Sequence, residues 1–485
     1  MRFRHIHLIL SLLLLGDITY SFLQHYHEPL DGDMSGIIMP SEIFRPLMED
    51  PFGFNVLFRD HEYKDPNRFF AHWSMSKYFK SIPFVLQFAV DPITSIYLAS
   101  AIMKILIQVL IIFMLASLIS GSKNIFAREF IIAAFLVAPL IQVSGYYYLD
   151  MGIIDRSITY AIFYALPLGL LMLFFYPFYR SSYTGKKIKL KLVPGILMTM
   201  LALVLALSGP LVSGVVLVLC SGVLIEKWWT GFIRSHKSTL SGRSLDSLHN
   251  IPKEYLLYFG IFMLFSLYSL FIARNNVSIP EDTLSISERY LRLPKGLFLQ
   301  LTSKPGYLLL FGLIALNVFI IFKQKHSAER NKVLQVFKWI LMLSTVYLLL
   351  LPLGGYKHYR PYIIRRDTFG PVTLALIYYY ALSSYFIIKQ VQSRYKLAWY
   401  AILILFILIF TRADITPLDR NDCERDALMT LSESNEDVTV LKDDCTVMSW
   451  EPVFDFGSSG LNASMLQYWG VTEGRKLYYQ SSDQK

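Results

Sequence analysis

The feature that most constrains this chain is the length of its apolar runs. From Trp339 the sequence reads WILMLSTVYLLLLPL, and from Ala398 it reads AWYAILILFILIF. A helix needs about 20 predominantly apolar residues to cross the hydrocarbon core of a bilayer. Runs of that order recur at 6–23, 93–119, 129–149, 157–177, 192–208, 211–226, 255–273, 306–322, 336–352, 368–388 and 397–411. The expectation is an all-α polytopic membrane protein with about eleven transmembrane helices. The first run is the weakest, because Asp17 interrupts it. The start, MRFRHIHLILSLLLLG, has the basic head and apolar run of a signal peptide. With no small-residue cleavage site after it, it reads as a retained first helix.

Composition agrees with a bilayer solvent. The chain is 54% hydrophobic and 17% charged, with a mean hydropathy of +0.43. Soluble domains carry about a quarter charged residues. The net charge of +10 would suggest nucleic acid in a soluble protein, but no recognition motif accompanies it here. Basic residues gathering on the cytoplasmic side of membrane spans explain it more simply.

The connecting segments set the orientation. GKKIKLK (from Gly185), KWWTGFIRSHK (from Lys227), KQKHSAERNK (from Lys323) and KQVQSRYK (from Lys389) alternate along the chain and fall on one side, with Arg2, Arg4, Lys123 and Arg128. Basic residues are roughly twice as dense in those loops as in the others. The N-terminus is therefore expected in the cytoplasm, and an odd number of spans puts the C-terminus outside. The outer side then receives loops 24–80, 274–305 and 353–367. Residues 1–411 form the membrane domain, and 412–485 form a small extracytoplasmic α/β tail. In that tail DCERDALMTLSES (from Asp422) reads as an amphipathic helix and DVTVLKDDCTVMSW (from Asp437) holds a strand-like run. Cys423 and Cys445, 22 positions apart, suit a disulfide outside the cytoplasm, whereas Cys220 lies in an apolar run. Asn276 and Asn462 stand in N-x-S sequons.

Chemistry-bearing residues concentrate in the outer segments. Where the first helix leaves the membrane, HYHEPLDGDMSG packs His25, His27, Glu28, Asp31 and Asp33 into nine residues. Carboxylates there can serve as a general base for an acceptor hydroxyl, or hold a divalent cation such as Mg or Mn through Asp31 and Asp33. A solvated acidic turn fits equally. Farther on, PFGFNVLFRDHEYKDPNRFFAHWSMSKYF interleaves Arg59, His61, Arg68 and His72 with aromatic residues, as a substrate-facing or an interfacial loop would. GGYKHYRPYIIRRD sets Lys357, His358, Arg360, Arg365 and Arg366 on the outside, against the charge bias. Arginine binds phosphate bidentately, so a lipid phosphate or pyrophosphate is the partner expected. Headgroup binding or pairing with the acidic loop is the alternative. Asp150, Asp155 and Arg156 flank a tight outer turn, where acids and arginines are functional or paired. No nucleotide-binding, serine-hydrolase, zinc-protease or Cys-x-x-Cys motif is present.

This arrangement resembles the GT-C glycosyltransferases. Those polytopic enzymes keep an acidic motif in a long first outer loop, where EPLDGD places Asp31 and Asp33 here. The tail segment DALMTLSESNEDVTVLKDDC resembles the end of bacterial relatives. The resemblance covers most of the chain as topology and about a dozen residues as motif. It implies inverting transfer of a sugar from a polyprenyl-phosphate donor to a glycan, lipid or protein acceptor, with Asp33, Asp31 or Glu28 catalytic. It also implies the cell envelope, with the protein in a bacterial inner membrane and the site toward the periplasm or exterior. The competing readings are an enzyme similar to O-antigen polymerases and ligases, and a lipid or solute transporter or flippase.

Overall fold

The computed structural model of the chain describes residues 2–142, 151–188, 190–278, 284–303, 305–354, 362–392, 395–442 and 444–481. Among these residues, nine helices are long and apolar enough to cross a membrane, and the protein is an integral membrane protein of predominantly helical build.

The first span is helix α1 (Arg2–Tyr26), which Pro29 prevents from continuing. Five short helices follow in the first loop: α2 (Met34–Ile38), α3 (Arg45–Glu49), α4 (Phe54–Arg59), α5 (Phe69–Phe79) and α6 (Ile82–Leu86). Helix α7 (Pro92–Ser120) returns through the bundle. Its start is well specified, since the Asp91 carboxylate accepts the Thr94 amide at 2.9 Å and proline occupies the first helical position. Helix α8 (Arg128–Val137) ends in a 3₁₀ turn at Ala138–Leu140, where Pro139 stands. The run expected as a span at 129–149 is thus helical only in its first half among the described residues. Ile141 there accepts the amides of Ile153 and Ile154, which draws the chain back on itself.

Helix α9 (Ile158–Tyr160) continues through a π-helical turn at Ala161–Ala165 into α10 (Leu166–Thr184), making one span. A single π turn inside an α-helix often marks a functional site. Helix α11 (Leu192–Ala206) is apolar but has only 15 residues. Helices α12 (Pro210–Arg234) and α14 (Lys253–Ile272) are full spans, joined by the short α13 (Leu240–His249). The loop at 274–305 contains α15 (Ile286–Thr302), which starts in a capping box between Ser285 and Glu288. Spans α16 (Pro305–Phe322), α17 (Ala328–Leu350), α18 (Arg366–Gln390) and α19 (Lys396–Ala413) complete the bundle.

Burial separates the centre of the bundle from its rim. The most hydrophobic stretch of α18 is 78% buried, and that of α1 is 6% buried. Helices α7, α10 and α18 thus form the middle, and α1 faces its surroundings. Between apolar helices in lipid, buried polar side chains act as connectors. Asn317 of α16 donates to Ser383 (3.0 Å) and Ser384 (2.9 Å) of α18 and accepts the Trp399 indole of α19 at 2.8 Å.

The C-terminal unit is α20 (Asp422–Glu433), β1 (Val438–Leu441), α21 (Gly460–Tyr468) and β2 (Leu477–Gln480). The two strands pair in parallel with Val438 opposite Leu477, and Cys423 bonds Cys445. The unit leans on the first loop. The buried Trp469 indole donates to the Phe79 carbonyl at 2.9 Å, and Gln87 donates to the Trp469 carbonyl at 2.9 Å. Asn462 is buried and donates to Tyr478 Oη at 2.7 Å, so its sequon is not accessible in the folded unit.

Candidate functional site

The first loop and the C-terminal unit share one end of the bundle, and the acidic run sits between them. Directly after α1, Glu28 pairs with Arg420 at 2.9 Å and with Arg156 at 3.8 Å. Lys104 of α7 donates to the Arg156 carbonyl. Two residues on, the Leu30 amide donates to Glu424 of α20 at 2.8 Å. Glu424 also accepts the Met448 amide (2.8 Å) and Tyr97 Oη (2.7 Å). Burial pushes the Glu424 carboxyl up to about 7, against the lowering effect of these donors.

Asp31 is 4% exposed and accepts four hydrogen bonds. Three come from the start of α9: Ser157 Oγ at 2.7 Å, the Thr159 amide at 3.0 Å and Thr159 Oγ1 at 2.7 Å. The fourth is the Asp33 amide at 3.1 Å. An ionised carboxylate has about four lone-pair sites, so this set fills it. Asp33 itself opens α2 and is half-buried. Between them, Gly32 lies against Trp450 of the C-terminal unit, and an added Cβ would sit 2.7 Å from the Trp450 backbone nitrogen. Met448, two residues before that tryptophan, has a left-handed φ of 48°. The Glu424 and Asn462 hydrogen bonds hold it there.

A chain of aromatic contacts leads from this loop to the basic segment. The Trp450 ring lies 5.8 Å from Tyr160, and the Arg365 guanidinium lies 5.9 Å from the Tyr160 ring. Arg365 pairs with Asp367, and Arg366 pairs with Asp155. A cavity of ≈ 320 Å³ opens here, walled by Tyr160, Tyr362, Arg365 and Arg366 and closed by Gly296 and Gln300 of α15. The size is at the lower end of the range for small-ligand sites. Both arginines reach the cavity already paired.

The residues expected to carry chemistry therefore divide. Glu28, Asp31, Asp33, Asp155, Arg365 and Arg366 gather at one end, linked through residues 155–160. Arg68 stands beside them, 3.9 Å from Asp65 and next to Gly209. His72 is buried between Phe44 (4.5 Å) and Phe163 (4.9 Å), and burial holds its imidazole down to about 3, which keeps it neutral. Arg59 and His61 are exposed beside the Asp60–Arg274 pair and do not line the cavity. Asp150, Lys357, His358 and Arg360 lie outside the described residues.

Among the described residues no three His, Cys, Asp or Glu side chains converge, and the Asp31 oxygens are occupied by four protein donors. Four participants were not singled out from the sequence: Tyr160, Glu424, Trp450 and Gln300. Tyr160 follows the Asp155–Arg156 turn that was noted, and the π turn after it is invisible in composition. Glu424 lies in the amphipathic tail helix on its buried face, where a carboxylate marks a special environment. No protein-family model matches the chain, and no curated protein matches it.

Proposed function

We propose that this chain is a membrane glycosyltransferase that takes a sugar from a polyprenyl-phosphate donor. The observation that carries the reading is the shared cavity end. The acidic turn after α1 reaches Tyr160 through Thr159 and Trp450, and Tyr160 lines one cavity with Arg365 and Arg366, more than 300 positions farther on. Basic residues are roughly half as dense in the loops at this end as in those at the other, so charge bias turns it away from the cytoplasm.

In this reading Asp33 is the general base. It takes the proton of an acceptor hydroxyl as that oxygen forms a bond to the anomeric carbon. The bond from that carbon to the phosphate oxygen breaks on the opposite face, which inverts the configuration. The lipid phosphate departs with the electron pair. Arg365 and Arg366, which line the cavity, would meet its charge. Asp31 holds the loop through Ser157 and Thr159 and is a positioning residue. Tyr160 and Trp450 offer ring faces on which a sugar can stack. Membrane lipids supply both the solvent and the donor. The acceptor is a glycan, lipid or protein.

Binding of polyprenyl phosphate to the purified full-length protein tests the reading. Arg365→Ala/Arg366→Ala should weaken it by about tenfold or more, the loss of a charge-assisted pair, and Arg59→Ala should leave it unchanged. Equal affinity in all three proteins would remove the phosphate assignment.

A further inference from the structure

A second and larger cavity, ≈ 560 Å³, lies inside the helix bundle between α10, α12, α14, α17 and α18. Along α10 it runs from Leu168 to Tyr183, about 22 Å at the α-helical rise per residue. That is well past the middle of a hydrocarbon core of about 30 Å.

Its lining is graded along its length. Toward the loop end the walls are apolar, with Leu168, Leu171, Val215 and Leu374. At the opposite end they include Tyr183, Glu226, Lys227, Lys332 and Gln335. The cations there are held in place by neighbours. Lys227 Nζ lies 4.3 Å over the Tyr255 ring, and Lys332 Nζ donates to the Tyr183 carbonyl at 2.8 Å. Tyr176, also in the wall, carries Lys123 over its ring at 4.8 Å and Arg180 on its hydroxyl at 3.2 Å. Two lysines thus line the mouth, with Lys123 and Arg180 on the neighbouring Tyr176, and among the described residues Glu226 is the carboxylate in the cavity lining. The mouth lies at the end that charge bias assigns to the cytoplasm.

A chain-length apolar slot with a basic mouth at one membrane face matches one chemistry. We infer that this cavity binds an anionic glycerophospholipid of the cytoplasmic leaflet, with an acyl chain in the slot and the phosphate at Lys227 and Lys332. The inference is independent of the chemistry at the loop end.

Native mass spectrometry of the full-length protein, with phosphatidylglycerol or phosphatidylcholine added to the micelle, tests it. Phosphatidylglycerol should be retained as one bound lipid, and Lys227→Ala/Lys332→Ala should reduce its retention by about tenfold. Lys227→Arg/Lys332→Arg should restore it, which separates lost charge from lost folding. Leu219→Trp, which fills the slot, should lower retention of both lipids. Equal retention of the two lipids by wild type, with no effect of the alanine pair, would overturn the inference. So would loss of the lipid in Arg365→Ala/Arg366→Ala with the lysine variants unaffected, because the occupant would then enter from the loop end.

Discussion

Gly32 and Trp450, more than 400 positions apart, are packed so closely that no side chain fits between them. A Cβ on Gly32 would approach both the Trp450 backbone nitrogen and its Cδ1 to 2.7 Å. The contact fixes the C-terminal unit against the turn that carries Asp31 and Asp33. Gly32→Ala should therefore push residues 449–450 away and destabilise the docked unit by about 1–3 kcal/mol, as overpacking does. Thermal unfolding and the protease sensitivity of the tail measure this. An unchanged melting point would mean the unit is not held at this contact.

Asp31 and Asp33 should separate under substitution. Asp31→Asn replaces an acceptor of four hydrogen bonds by a group that accepts on one side only. A loss of about 1–3 kcal/mol is expected. Asp33 is half-buried where Asp31 is buried, and Asp33→Asn should cost less than Asp31→Asn. Melting points of the two variants in the same detergent decide the matter.

Glu424 makes docking of the C-terminal unit depend on pH. Its folded value, about 7, lies above the ordinary 4.5 of a free carboxyl. A raised acid is stabilising while protonated, so its contribution is complete below about 4.5 and is lost as pH rises through about 7. The difference is on the order of 3 kcal/mol. Wild type should melt higher at pH 5 than at pH 8, and Glu424→Gln should flatten that difference. A steeper dependence in the glutamine variant would contradict it.

The Cys423–Cys445 disulfide closes a loop of 22 residues in a unit with a small core of its own. Reduction or Cys445→Ser should cost about 2–4 kcal/mol of local stability. Limited proteolysis should then cut first between α20 and β2 and leave the membrane helices intact.

The sequence made the bilayer-spanning helices legible because span length is a property of one segment at a time. Pro92 to Ser120 needs only its own apolar residues and its Asp91 cap. The failures are equally local in cause. The run at 129–149 is mostly apolar, yet at Val137 the α-helix gives way to the 3₁₀ turn that holds Pro139. Helix α15 lies in a segment expected as an outer loop, although Ser285 and Glu288 spell its capping box. At the site, the acidic turn and the arginines were visible by residue type. Their meeting was not, because it runs through Tyr160 and Trp450, aromatic residues among 31 tyrosines and 7 tryptophans with nothing local to distinguish them. Asp31 is the clearest case. Residue type made it a candidate base, and only the fold shows Ser157 and Thr159 filling its oxygens.

The most direct test of the account is sugar transfer by the full-length protein in liposomes. Polyprenyl-phosphate mannose and polyprenyl-phosphate glucose would be supplied as labelled donors, with a membrane extract as acceptor source. Release of polyprenyl phosphate coupled to label in the acceptor fraction is predicted for wild type. Asp33→Asn should lower it by at least about a hundredfold, the effect of losing a general base, with the protein still folded. Transfer at the wild-type rate by Asp33→Asn would contradict the assignment of Asp33 as the base.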